Sequence, residues 1–397
     1  MKTIMELESA RCTGCAACAQ RCPRTCIEMR RDAEGFLYPV ICRDSCVQCG
    51  LCYSVCPVIN PHNSTHAPTA YAAKCTDEEI RANSSSGGAF TLLAEYVLDA
   101  GGVVFGAGFD ETLNVIHTAV ETKTSLGRLR GSKYVQSDIG TAYEQAKQYL
   151  DSGRMVYFSG TPCQIEGLLN FLGRPYERLI TQDLVCHGVP SPMVWRRYLQ
   201  AMQKKYRASA KRINFRYKVP SWRRYGLQME FSDGGQRVNP RADDFYMRSF
   251  LADLCLRPSC YSCAFKKMNR ACDFTLADFW GIQNYLPELD DDKGTSLVVC
   301  HTPKALALFE RIQHRLICAP ASLSDAVKHN TAMIQSAQRP AMREAFMLQI
   351  QKKPFFDVAR KFCKRISLPE RAARKIWRTI KRLQTVAFKR FGNKDSK

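Results

Sequence analysis

Apolar and polar residues alternate along this chain with two periods, and the changes of period mark its elements. In residues 84–102, SSSGGAFTLLAEYVLDAGG, serines and glycines open a stretch with apolar residues at helical spacing, and Gly101-Gly102 stops it. The pattern predicts a helix there, after a short strand in residues 69–75 and before paired strands in 103–110 and 113–122. Residues 141–153 read as a second helix with a glycine end. RMVYFSGTPCQIEGLLNFLG, residues 154–173, predicts a buried strand, a tight turn and a helix; 177–188 reads as a strand and 192–206 as a helix. Such alternation argues for βαβ units and a mixed sheet. Beyond residue 211 the chain turns β-rich, in 213–218 and 225–232, and a polar loop covers 257–266. DFTLADFWGI and a strand–helix unit in 296–313 follow. Near the N-terminus, residues 26–41 alternate polar and apolar on both sides of Glu34-Gly35, which predicts a hairpin.

Cysteines change the picture most. Cys12, Cys15, Cys18 and Cys22 precede Pro23, and Cys46, Cys49, Cys52 and Cys56 precede Pro57. Each run reads C-x2-C-x2-C-x3-C-P, the pattern by which bacterial-type ferredoxins hold iron–sulfur clusters. The first three cysteines wrap one corner of a cluster, and the fourth belongs to the other cluster. Cys12, Cys15, Cys18 and Cys56 are therefore expected to ligate one 4Fe-4S centre, and Cys46, Cys49, Cys52 and Cys22 the second. A single C-x2-C would suggest zinc; two full runs with both prolines point to electron transfer. A module this small carries little core, so the clusters supply much of its folding energy.

The 397 residues suggest two or three domains, and a composition of 45% hydrophobic and 24% charged residues is that of a globular protein. No run is long and apolar enough for a membrane-spanning helix, and MKTIMELESARC has no signal-peptide core, so a cytoplasmic location is expected. Twenty cysteines agree with a reducing compartment. The net charge of +21 is concentrated in the tail: residues 359–397 hold fourteen Lys or Arg against Glu370 and Asp395, a net +12. In residues 371–391, Ile376, Trp377, Ile380, Leu383, Ala387 and Phe391 recur at helical steps among basic residues. That is a basic amphipathic helix, suited to an anionic membrane surface at the inner face of the cell membrane or to packing on the body. No nucleic-acid recognition module accompanies the charge, so no nucleic-acid partner is expected.

A second chemical site is legible further on. Gly160-Thr161-Pro162-Cys163 lies where a strand turns into a helix, and Cys186-His187-Gly188 ends the next strand, so both cysteines should reach the same sheet edge. Cys260 and Cys263 form a C-x2-C in a loop. From spacing alone, these four are either a third cluster or buried core thiols. Ser85, Ser86, Gly87 and Gly88 at a helix start suit a pyrophosphate or simply cap the helix. His187, His117 and Asp278 are acid–base candidates whose bland reading is structural; His187 is the stronger histidine.

SSSGGAFTLLAEYVL, SKYVQSDIG, GTPCQIEGLL, DLVCHGVPSP and CYSCAFKKMNRACDFTLADFWGI follow one another across residues 70–330. In these motifs the chain resembles the coenzyme F420 hydrogenase/dehydrogenase beta-subunit family, fused to an N-terminal two-cluster ferredoxin. It is most similar to the bacterial branch found with polysaccharide-synthesis genes. The resemblance implies an α+β / α/β protein: a small ferredoxin domain, a mixed α/β flavoprotein body and a basic C-terminal helix. The expected division is a ferredoxin domain in 1–60, a linker in 61–69, a flavin-binding part in 70–150, a part with the third cluster and substrate side in 151–338, and a basic tail in 339–397. It also implies a third 4Fe-4S cluster on Cys163, Cys186, Cys260 and Cys263, with Cys255 as the substitute ligand. FAD would be touched by Ser85, Ser86, Gly87, Gly88, Lys133, Tyr134 and Ser137, and Lys133 could stabilise a reduced flavin. The deazaflavin coenzyme is not carried across with the fold. The expected function is a ferredoxin-coupled FAD oxidoreductase acting on an organic substrate in glycan or lipid-linked polysaccharide synthesis. The alternative is a subunit that relays electrons to a partner reductase and has no substrate site. Either needs a redox partner such as a ferredoxin.

Overall fold

The computed structural model describes residues 2–363 apart from 63 and 65, so the helix expected over 371–391 lies outside the described residues. At the N-terminus, β1 (Ile27–Arg31) and β2 (Leu37–Ile41) pair as an antiparallel hairpin. Its turn is closed by Asp32, whose Oδ1 accepts from the amides of Glu34 and Phe36 at 3.0 and 2.8 Å. The two cysteine runs flank the hairpin, each with a one-turn helix, Ala17–Gln20 and Leu51–Ser54.

The body is built on an eight-stranded mixed sheet. Its strands are β3 (Thr69–Cys75), β4 (Val103–Phe109), β5 (Val115–Val120), β6 (Val156–Ser159) and β7 (Leu179–Leu184), later joined by three more. The chain first leaves the sheet for β8 (Ala210–Tyr217), β9 (Gly226–Phe231) and β10 (Gln236–Pro240), an antiparallel three-stranded sheet. It then returns as β11 (Phe274–Asp278), β12 (Ser296–Cys300) and β13 (Leu316–Ala321). The order is β13-β3-β12-β11-β7-β6-β4-β5. The central four, β11, β7, β6 and β4, are parallel, and antiparallel strands extend both edges. The parallel strands follow from the βαβ alternation, and their carboxyl ends gather at one rim, where ligands of open α/β sheets bind. β10 and β13 were not anticipated, because neither carries a clear alternation of buried and exposed positions.

The cysteine-bearing module is not a bead on a string. Ile4, Cys15, Ala17, Cys18 and Val55 share one apolar cluster with Val103, Phe105, Tyr143, Phe158, Ile165 and Phe171 of the body. Gly167, in the helix Pro162–Leu172, permits this approach: a Cβ there would stand 3.0 Å from Cys15 Sγ and 3.1 Å from Tyr143 Oη. The linker expected over 61–69 is pinned as well. His62 N donates to Glu166 Oε2 at 2.8 Å, Lys267 Nζ donates to His62 O at 2.7 Å, and β3 already begins at Thr69. The body also runs past residue 338, the expected start of the tail. Helices Arg343–Lys352 and Phe355–Phe362 bury Phe346, Ile350, Phe355, Val358 and Phe362 in the core around Trp195 and Tyr246. The basic charge of this segment had hidden its apolar stripe. Among the described residues no helix is long and apolar enough to cross a membrane.

Candidate functional site

Two copies of one turn build the first part of the site. Ala16 and Gly50 occupy matching positions in the cysteine runs and both have positive φ, 62° and 76°, which folds each run back on itself. Cys12, Cys15, Cys18 and Cys56 thereby line one hollow, walled by Ile4, Leu7, Met29, Pro39 and Val58. Cys22, Cys46, Cys49 and Cys52 line another, and Cys26 joins them there. The fourth cysteine of each run thus crosses to the other group, as the spacing predicts. Backbone amides aim at the sulfurs, Ile4 N donating to Cys52 Sγ at 3.4 Å. Among the described residues no three His, Cys, Asp or Glu side chains close on a single metal ion. The apolar walls and four-sulfur donor sets suit an iron–sulfur cluster.

A third hollow is lined by Cys163, Cys186, Cys260 and Cys263, brought together from three segments. Cys163 is in the first turn of the helix Pro162–Leu172, whose start is fixed by Thr161 N donating to Gln164 Oε1 at 3.0 Å. Cys186 lies just beyond β7; Cys260 sits within a short 3-10 helix, Pro258–Ser262, and Cys263 directly follows it, where the sequence reads as loop. Val189 N donates to Cys260 Sγ at 3.4 Å. Cys255, the expected substitute, is fully buried beside Ser249 and does not line this hollow.

Burial pushes the Cys15, Cys186 and Cys260 thiols up to about 12, and Cys163 rises for the same reason. Without iron these groups would stay protonated; a metal displaces the proton on ligation. Cations oppose the burial. Lys266 and Arg270 act on Cys186, and Arg257 on Cys260. Arg257 is wholly buried. It donates from Nε to Cys12 O at 2.7 Å, from Nη1 to Gln136 Oε1 at 3.1 Å and from Nη2 to Leu37 O at 2.8 Å, and Nη2 lies 3.8 Å from Cys12 Sγ. Its guanidinium therefore sits between the first hollow and the third. Sequence reasoning passed over it, and its only signal was its place beside Pro258 and Cys260.

Next to the third hollow, at the rim of the parallel strands, opens a cavity of about 520 Å³, within the usual range of ligand sites. Cys186, His187, Gly188 and Val189 line both spaces. Of the expected flavin residues, Ser85, Ser86, Gly88, Lys133, Tyr134 and Ser137 are on the cavity wall. Gly87 is not: its amide donates to Ser296 Oγ at 3.0 Å, and a Cβ there would stand 2.3 Å from Ala73 O. Gly87 serves the fit of the turn against β3 and β12. Ser85 Oγ accepts from Ser132 N at 2.8 Å, tying this turn to the Lys133 loop. Lys133 Nζ donates to the carbonyls of Arg128, Leu129 and Arg130 at 3.2, 2.9 and 2.9 Å, which commits its three protons to the loop. Burial pulls its pKa down to about 7.

His117 stacks on Phe158 and its Nε2 bonds Ser159 O at 3.0 Å, while burial pulls it down to about 4. Among the described residues its buried Nδ1 has no partner. His187 Nε2 meets Asp253 Oδ1 at 2.5 Å. Asp278, at the end of β11, accepts from Arg216 and from Trp222 Nε1 at 2.8 Å. Arg216 in turn stacks on Tyr225, 3.8 Å from the ring centre, with a buried Nε that no described residue meets. Orphaned polar atoms of His117, Arg130 and Arg216 on an aromatic-walled cavity fit a polar, planar ligand such as a flavin. Arg216, Tyr225, Arg241 and Trp280 on this wall were missed, since they come from separate segments with no local motif.

The family model for the coenzyme F420 hydrogenase/dehydrogenase beta subunit matches in two parts, its N-terminal part at residues 70–143 and its C-terminal part at 153–324. A 4Fe-4S dicluster domain matches residues 11–60. Among solved structures, the chain is similar to one from the xenon-derivatised F420-reducing [NiFe] hydrogenase complex of Methanosarcina barkeri. They share 15% identity with a TM-score of 0.46, over 73% of this chain and 94% of that one. No curated protein matched the sequence.

Proposed function

Because the chain belongs to the coenzyme F420 hydrogenase/dehydrogenase beta-subunit family and carries a 4Fe-4S dicluster domain, we propose that it is an iron–sulfur flavoprotein oxidoreductase with three clusters in series and an FAD at their end. Cys22, Cys46, Cys49 and Cys52 hold the outer cluster, Cys12, Cys15, Cys18 and Cys56 the inner one, and Cys163, Cys186, Cys260 and Cys263 the third. FAD would fit the large cavity, held by Ser85, Ser86, Gly88, Tyr134 and Ser137, with Lys133 bracing the loop beside it.

The observation that supports this reading is that neighbouring hollows share walls. Ile4 lines the inner hollow and donates its amide to Cys52 of the outer one. Thr13 lines both the inner and the third hollow. The Cys186–Val189 segment lines both the third hollow and the cavity. A bound flavin exchanges two electrons with an organic substrate and passes them singly to a cluster.

The protein's own contribution is placement and charge. Lys133 fixes the loop that frames the cavity, His117 stays neutral against Ser159, and Arg257, Lys266 and Arg270 offset the anionic sulfur sites. Cys49, exposed on the outer group, is where an external ferredoxin or similar carrier would dock, and glycan or lipid-linked precursors are the first substrates to screen, with the deazaflavin coenzyme assayed beside them.

Anaerobic purification and reconstitution test the reading. Iron for three 4Fe-4S clusters, three interacting EPR signals after dithionite and a released yellow chromophore are expected. Colourless protein with zinc in place of iron and no flavin would overturn it.

A further inference from the structure

We propose that Cys26 is a spare ligand of the outer cluster, placed to take over the iron held by Cys22. The inference rests on the ligand assignment above. Cys26 Sγ lies 3.3 Å from Cys22 Sγ, in direct contact, and Cys26 lines the same hollow as the four expected ligands. It also lies beside Cys46. The sequence alone reads Cys26 as a small core residue, yet on the hollow side it faces sulfur.

Its neighbours hold it in that position. Cys26 immediately precedes β1, and its carbonyl accepts from Cys42 N at 2.8 Å where the hairpin closes. Its side chain is 7% exposed. Cys22, by contrast, is only half-buried, on the turn that leads through Pro23 to Thr25 at φ 47°. A ligand that oxidants or alkylating agents can reach thus has a sheltered thiol in contact with it.

The exchange balances without an electron. The Fe–S bond to Cys22 breaks, the Fe–S bond to Cys26 forms, and the proton leaving the Cys26 thiol goes to the departing Cys22 thiolate. The cluster keeps four thiolate ligands and its charge. Loss of Cys22 to chemical damage then leaves the outer cluster in place.

The test uses the full chain reconstituted anaerobically as wild type, Cys22→Ala, Cys26→Ala, the Cys22→Ala/Cys26→Ala double variant and Cys49→Ala. Iron per chain and the EPR spectrum of the reduced protein read the cluster without turnover, and the inner-cluster signal reports that each variant has folded. Cys26→Ala is expected to match wild type, and Cys22→Ala to keep its iron with shifted outer-cluster g-values. The double variant and Cys49→Ala are expected to lose one cluster's iron. Cys22→Ala losing as much iron as the double variant, or the double variant keeping it, would overturn the exchange while leaving the assignment intact. A wild type without an outer-cluster signal, or a Cys49→Ala that keeps it, would sink the assignment and the exchange together.

Discussion

Arg257 illustrates how much one side chain can hold. Its guanidinium is buried, and it satisfies two carbonyls and a glutamine while resting against Tyr38, 4.2 Å from the ring centre. Arg257→Met strands these acceptors in the interior and should cost ~3 kcal/mol or more in denaturant unfolding. It also removes a positive charge between the inner cluster and the proposed third one, so reduction of both should become harder. Redox titration followed by EPR should find the midpoints lowered, with Arg257→Lys between the two. His117 gives a pH signature. Burial holds its folded-state pKa near 4 against 6.5 when exposed, so below 6.5 the unfolded chain binds the extra proton. Stability from this group is complete above pH 6.5 and falls as pH drops toward 4. Between pH 6.5 and about 5 the loss should be on the order of 1–2 kcal/mol. It should be absent in His117→Gln, compared by thermal unfolding, since the acid sensitivity of the clusters is common to both proteins.

At the scale of elements, the helix Pro162–Leu172 does two jobs. Its first turn presents Cys163, and its middle receives the cysteine module at Gly167. Gly167→Ala would raise helix propensity, but the added carbon meets Cys15 Sγ and Tyr143 Oη at about 3 Å. Overpacking of about 1–3 kcal/mol should win, and limited proteolysis should cut the module free faster while cluster iron is retained. What could be read from the chain also divides at this scale. The strand–turn–helix around Cys163 was legible because periodicity, a turn and a chemical residue coincide in one segment. The C-x2-C-x2-C-x3-C-P runs were legible because cluster geometry dictates their spacing. Gly87 misled, since a Ser-Gly turn looks alike whether its amides face a phosphate or a neighbouring strand. The helices of 343–362 were hidden by their basic residues, and the Arg216–Tyr225–Trp280 wall exists only in three dimensions.

Across the whole molecule, neighbouring hollows share walls, so in the proposed series each centre depends on the next. Cys163→Ser should leave both dicluster EPR signals in place, yet reduction of the flavin by a ferredoxin, followed in a stopped-flow spectrometer, should fall to background. If flavin reduction persisted at the wild-type rate, electrons would have another way in and the third cluster would not be on the route. This much was outside the sequence's reach, because contact between the N-terminal module and the body is decided by packing of Phe171, Ile165 and Tyr143 against Cys15 and Ala17, residues far apart in the chain.

The two cysteine runs are near copies, but the body covers only one end of the pair: Cys15 and Cys18 are buried, whereas Cys49 is open to solvent. A duplicated motif has no inherent front or back, and an isolated module of this kind could be approached from either end. Docking removes that equivalence. In the proposed route one half becomes a terminal for passing carriers and the other an internal junction, so mutations that are interchangeable in a free ferredoxin should here divide into those that alter partner choice and those that alter delivery.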